Sequence, residues 1–321
     1  MLFRWKELPN LWPSCRNLKR IILHKHYYPQ YTFMQYEGNI IRPPSEAHSI
    51  ILQVTAGCSY NKCVFCGAYK NTPFRIRSER LDADIDYAAN NCQHQNRVFL
   101  ADGDALILPY LRLLYIFEKI KNSLPWVNKV SLYANGKAIR SKTVEQLLTL
   151  KNLGLDRIYL GLESGHDQVL DFIRKGETAN SMIAAAQKIK NCGLFLSVTI
   201  LLGIGGKNLS QEHARHTGDV VTKMTPNQIA ALSVMPLPNT VLFELMQEGK
   251  FTLPDKIELL TELKTIIERI KLDRVQFYAN HASNYLPLSG RLQKDKETLL
   301  SRIDSALSGT TQLVPDYLRS L

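Results

Sequence analysis

Apolar and polar positions along this chain switch between two periods. Short β-branched or apolar runs of strand length occur at 49–54, 97–101, 129–134, 157–161, 195–202 and 229–235. Stretches with helical spacing lie between and after them, near 82–91, 109–123, 143–153, 167–174, 180–191 and 211–224. Thr178 stands where the 180–191 helix needs an N-cap. Repeated strand–helix units imply parallel strands joined by right-handed crossovers. Six of them predict an α/β fold, a partial (β/α)6 TIM-like barrel. Pro236 and Pro238 end the sixth strand and with it the expected barrel.

Beyond residue 240 the spacing becomes helical again. Ile257, Leu260, Leu263, Ile266, Ile267 and Ile270 mark one apolar stripe, and Leu299, Leu300, Ile303 and Leu307 mark another. The pattern therefore divides the chain into an N-terminal extension (1–48), the barrel (49–240) and a mainly helical C-terminal extension that closes it (241–321).

Composition changes this picture little. A chain of 321 residues with 45% hydrophobic and 21% charged content suits an ordinary globular protein. The longest apolar run, 194–204, is interrupted by Ser197 and Thr199 and is too short for a membrane span. The opening MLFRWKELPNLWPSC has no apolar signal core. These features predict a cytoplasmic protein without membrane partners, a compartment that also suits free thiols.

Charge adds more. A net charge of +11 favours anionic partners: nucleic acid, an acidic electron donor or a phosphate-bearing substrate. Residues 1–48 interleave Arg4, Lys6, Arg16, Lys19, Arg20, Lys25 and Arg42 with Trp5, Trp12, Tyr27, Tyr28, Tyr31, Phe33 and Tyr36. Such a segment either packs its rings on the barrel or stacks them on single-stranded nucleic acid, and packing is the commoner outcome.

In parallel βα folds reactive groups gather where strands end. After the first strand, residues 55–69 read TAGCSYNKCVFCGAY and hold half of the six cysteines. Cys58, Cys63 and Cys66, with four and then two residues between them, can converge on one metal centre. With no fourth ligand near in sequence, one coordination position stays open. A structural zinc site would need that ligand, and His48 and His94 are not at a zinc-ribbon spacing.

The other strand ends carry further candidates. Gly103 allows close backbone approach, and the Asp104 carboxylate beside it could hold an ammonium group. Ser131, Tyr133 and Asn135 share one face of the third strand, a polar face suited to a bound polar ligand. In the polar stretch 277–287, His281 or Tyr285 could exchange a proton or hydrogen atom with a substrate.

The cysteine loop resembles the cluster loop of the radical S-adenosylmethionine (SAM) superfamily, apart from a first gap of four residues where three is usual. Gly161-Leu162-Glu163-Ser164-Gly165, with Lys175 twelve positions after Glu163, is similar to a turn in one grouping of that superfamily. The grouping holds Elongator-type enzymes, methylthiotransferases and coproporphyrinogen-oxidase-like proteins. The resemblance implies a [4Fe–4S] cluster on Cys58, Cys63 and Cys66. It also implies S-adenosyl-L-methionine bound by Phe65 and by Ile200 or Leu202 against adenine, by Gly103 and Asp104 at the ammonium, and by Glu163 and Lys175. Tyr133 and Asn135 are further cofactor-binding candidates. A small reductant protein of flavodoxin or ferredoxin type would supply an electron, and a 5′-deoxyadenosyl radical would take hydrogen from a substrate in the barrel. A haem-handling or coproporphyrinogen-oxidase-like role, or a nucleic-acid-binding protein with a structural metal, are the alternatives.

Overall fold

The computed structural model describes residues 34–321; most of the basic, aromatic preface, with Cys15, lies outside them. The first strand, β1 (Ile50–Gln53), is buried along its whole length and runs into the short β2 (Thr55–Ala56). The cysteine loop follows and ends at β3 (Arg75–Ile76), which pairs antiparallel with β2.

Strands and helices then alternate as the periods predict. The order is α1 (Leu81–Asn91), β4 (Arg97–Ala101), α2 (Tyr110–Ser123), β5 (Lys129–Ala134), α3 (Gly136–Ser141), α4 (Val144–Asn152) and β6 (Leu155–Glu163). It continues through α5 (Asp167–Phe172), α6 (Ala179–Asn191), β7 (Phe195–Leu202), α7 (Gly206–Met224) and β8 (Gln228–Ser233). Thr178 caps α6, accepting a hydrogen bond from the Ser181 amide within a capping box. Helix α7 begins earlier than its apolar spacing suggested, directly out of the glycine turn at 203–206, because Lys207-Asn208 carries no periodic signal.

After α8 (Val241–Gln247) and α9 (Lys256–Arg269) come two strands beyond the six expected. They are β9 (Arg274–Ala279) and β10 (Leu288–Gln293), and α10 (Lys296–Leu307) follows. The eight-stranded sheet has the order β1-β4-β5-β6-β7-β8-β9-β10, parallel from β1 to β9 with β10 antiparallel at the edge. Among the described residues β1 and β10 do not pair, so the barrel is open. It is a partial (β/α)6 barrel extended by two strands.

Alternation along each strand separates two layers. Even-numbered residues of β7, Leu196, Val198, Ile200 and Leu202, enter the main apolar core, which also holds buried side chains of α2, α6, α7 and α9. Ser197 and Thr199 face the barrel interior. Within that interior Ile51, Phe99, Ala101 and Tyr159 form a small buried cluster. Most of the remainder is a cavity of about 990 Å³.

Candidate functional site

The cysteine loop is fastened from both sides. Gln53 Nε2 and the Gly57 amide donate to one oxygen of buried Asp102, at 2.8 and 3.1 Å, which fixes where the loop leaves the barrel. The Val64 amide donates to the Ile173 carbonyl and the Leu242 amide to the Val64 carbonyl, both at 3.0 Å. Residues 63–66 are thereby held between α5 and α8. Cys58, Cys63 and Cys66 are free, part-exposed and line the same cavity. Burial pushes the Cys63 thiol up to about 11 and raises that of Cys66, so both favour the neutral form unless a cationic centre stabilises the thiolate. A Cβ at Gly103 would come within 2.9 Å of the Tyr69 ring and 3.0 Å of Cys58 Cβ. Only glycine allows this approach of the second turn to the first.

At the end of β6 the Lys175 ammonium donates to Glu163 Oε1 at 2.8 Å. Both side chains are largely shielded, at 12% and 11% exposure, and both line the cavity. Burial opposes the Lys175 charge, but Glu163 and the neighbouring Cys63 outweigh it and raise the ammonium above its usual range. Glu163 sits at φ 66°, uncommon for a residue with a Cβ. Its carboxylate folds back over Gly161, where a Cβ would meet Oε1 at 2.2 Å. Ser164 Oγ and His213 Nδ1 lie 2.8 Å apart, and His213 Nε2 lies 3.3 Å from Glu262 Oε1, all three residues being buried. Glu262 also accepts from the Gly203 amide and from Ser210 Oγ, both at 2.6 Å. The turn carrying Glu163 is thus tied to α7 and α9.

Most of the expected residues meet here. Cys58, Cys63, Cys66, Gly103, Tyr133, Asn135, Glu163, Lys175 and His281 all line the cavity. His281 Nδ1 accepts from the Ser283 amide at 3.1 Å, which leaves the ring proton on Nε2, and burial lowers the imidazole so that it stays neutral.

Four residues are placed elsewhere. Phe65 packs with the apolar cluster around Leu242 and Val169, beneath the loop rather than in the cavity. Asp104 is fully buried, and its carboxylate accepts from Ser59 Oγ and Asn135 Nδ2, each at 2.7 Å. Burial pushes it up to about 6, and its part in the site is to hold Asn135. Ile200 lies in the outer core, because its neighbour Thr199 takes the inward position. Tyr285 donates to Asp316 Oδ1 at 2.5 Å and lies 3.7 Å from the Arg319 guanidinium carbon, away from the cavity.

The floor of the cavity was not anticipated. Arg157, Tyr159, Ser197, Gln228, Gln276 and Tyr278 all line it. The available signal was inward alternation, from Arg157 through Tyr159 and Gly161 to Glu163 on β6, and Gln276 and Tyr278 between Val275, Phe277 and Ala279 on β9. Below them Glu46 is fully buried and accepts from Tyr159 OH at 2.6 Å, Ser49 Oγ at 2.5 Å and Arg97 Nη2 at 3.0 Å.

The family model for the Radical SAM superfamily matches residues 52–217, just over half of the chain. The chain is similar to the heme chaperone HemW of Bacillus subtilis, 20% identical over 182 residues, covering 56% of this chain and 48% of that one. It is also similar to the tRNA uridine(34) acetyltransferase of Methanocaldococcus jannaschii, 23% identical over 140 residues, covering 42% and 25%. The chain thus spans about half, or less, of the length of these curated relatives.

Among solved structures, the radical SAM methyltransferase TsrM of Kitasatospora setae aligns with TM-score 0.56 at 14% identity, over 80% of this chain and 61% of that one. Coproporphyrinogen III oxidase (HemN) of Escherichia coli aligns at 0.51 with 13% identity, over 69% and 52%. At such identities the likeness concerns the fold. No helix among the described residues is long and apolar enough to cross a membrane. The match across β1 to α7, on a partial barrel whose three loop cysteines face one cavity, makes this chain a member of the Radical SAM superfamily.

Proposed function

We propose that the chain is an enzyme that holds a [4Fe–4S] cluster on Cys58, Cys63 and Cys66 and binds S-adenosylmethionine beside it. The observation that carries this reading is the meeting of three free cysteines with the Glu163–Lys175 pair on one cavity wall. The donor set fits a cluster: three soft thiol ligands face one cavity, and Cys63 and Cys66, raised by burial, need a cationic centre to hold them as thiolates. When bound, such a cluster supplies an electron for reductive cleavage of SAM to methionine and a 5′-deoxyadenosyl radical.

The chain's own residues do the positioning. Glu163 offers a carboxylate oxygen that accepts no hydrogen bond among the described residues, and Lys175 offers a fixed positive charge. These suit the donors and the carboxylate of SAM respectively. The main chain at Gly103 approaches Cys58 closely enough to wall the site. The rings of Tyr133 and Tyr159, 5.7 Å apart, line the interior and exclude water from it. His281 supplies a neutral N–H donor near the C-terminal ends of β8 and β9. Residues 49–240 form the catalytic barrel in this reading, and 241–321 extend it with β9, β10 and three helices. A flavodoxin- or ferredoxin-type protein in a reducing, cytoplasmic compartment would be the electron donor.

Anaerobic reconstitution tests the proposal. Stoichiometric iron and sulfide, with deoxyadenosine released from SAM under dithionite, is the expected result. A protein that stays iron-free and leaves SAM intact would sink it. The match to a heme chaperone favours haem handling as a second reading; a haem titration that leaves the Soret band unshifted would dismiss it.

A further inference from the structure

Strand register brings five inward residues side by side at one level of the barrel. Tyr133 pairs with Tyr159, Tyr159 with Ser197, Ser197 with Gln228 and Gln228 with Gln276. Arg157 lies one inward position below Tyr159 on β6. The carboxamides of Gln228 and Gln276 have no hydrogen-bond partner among the described residues, and both face the cavity. Gln228 is 92% shielded, since only 8% of it is exposed. Gln228 is buried and Gln276 half-buried, and both line the cavity, so their amides are open there to water or to a ligand's donor and acceptor groups.

Charge at this level is also unbalanced. Two guanidinium groups, Arg97 and Arg157, flank one carboxylate, Glu46, and Arg97 takes it at 3.0 Å. Arg157 has no carboxylate partner among the described residues. Its Nη1 donates to Tyr159 OH at 3.2 Å and its guanidinium carbon lies 4.0 Å from the Phe195 ring centroid. Its Nε is buried without an acceptor. The ring contact offsets part of the desolvation but accepts no hydrogen bond. Arg42 and Lys137 on the cavity lining add positive charge.

We propose that this floor anchors the substrate, and that the substrate is a small organic anion. Its carboxylate or phosphate lies against Arg157, and its donor and acceptor groups lie against Gln228 and Gln276. The rest of the molecule extends up the barrel toward the Glu163 end of β6, about 20 Å away along the strand at roughly 3.3 Å per residue. This rests on the reading of the upper cavity as the SAM site, since it is the lower part of the same cavity.

Ligand-observed NMR on the anaerobically reconstituted, SAM-loaded chain tests it with benzoate, phenyl phosphate and benzamide as probes. Benzoate or phenyl phosphate should bind at least tenfold more tightly than benzamide, and whichever anion binds better identifies the charged group. Arg157→Gln should weaken that anion at least tenfold, and Arg157→Lys should restore part of the loss. Gln276→Glu, which leaves Arg157 packing intact, should weaken it similarly, so the question stays decidable if Arg157→Gln does not fold. Equal binding of anions and amide, or anion binding unchanged in Gln276→Glu, overturns the proposal. Iron content and SAM binding are read separately on the same samples. Their absence would overturn the cluster reading, while probe selectivity still decides the floor.

Discussion

Two carboxylates inside the barrel, Glu46 at the floor and Glu163 at the top, make opposite uses of a cation. Glu46 is fully buried and takes hydrogen bonds from Tyr159, Ser49 and Arg97. Burial pushes its carboxyl up, but the donated bonds and the Arg97 charge outweigh that and hold it below its usual value. Among the described residues Glu163 takes one side-chain hydrogen bond, from Lys175, on a backbone bent to φ 66°, and it lines the cavity. A saturated carboxylate serves architecture. A half-used one in a strained turn is held ready for something else.

Substitutions can break or sharpen this contrast. The largest effect is expected at the sulfur site, where Cys63→Ala should take bound iron and deoxyadenosine release to background. Full retention of either would remove Cys63 from the ligand set. Next comes Glu46→Ala, which leaves Arg97 without its carboxylate. It should lose about 3–5 kcal/mol of stability in denaturant titration, and a loss under 1 kcal/mol would contradict the architectural role.

Glu163→Ala should instead weaken SAM binding about 10- to 150-fold, equivalent to roughly 1.5–3 kcal/mol for a charged hydrogen bond. Its melting temperature should move far less than that of Glu46→Ala. If the two variants behaved alike, the contrast would collapse. His213→Ala removes the group between Ser164 and Glu262 and should cost about 1–3 kcal/mol. It should also raise the KM for SAM more than it lowers kcat, because it loosens the Glu163 turn; a pure stability loss would reject that link.

The smallest effect concerns pH. Since the Glu46 carboxyl is lowered from 4.5 on folding, its stabilisation is fully present above that pH and fades as the pH falls through the lowered value. The stability gap between wild type and Glu46→Gln should therefore narrow below about pH 4.5. A gap that widened there would reverse the sign of the shift.

Six βα units were legible because each buries one face through a local period, and that period survives in the order of residues alone. The cysteine loop and the twelve-residue interval from Glu163 to Lys175 were legible for a related reason. Both are short-range spacings, so chemistry that depends on them can be read along the chain. Strand β9 carries a period-2 signal, Val275, Phe277 and Ala279 alternating with Arg274, Gln276 and Tyr278, that a count of six units leaves unused, whereas in β10 only Leu288 and Leu292 are buried and the pattern is weak. Ile200 went to the core for a different reason. Alternation tells which residues share a face but not which face turns inward, and packing against helices decided that.

What the order of residues determined by itself is the repeating βα framework, the three-thiol loop and the Glu163–Lys175 pair, because periodicity and spacing are local. What only the folded chain decided is the cavity floor, where Arg157, Gln228 and Gln276 meet from three strands. Their meeting depends on strand register, which is fixed by contacts between segments far apart in sequence.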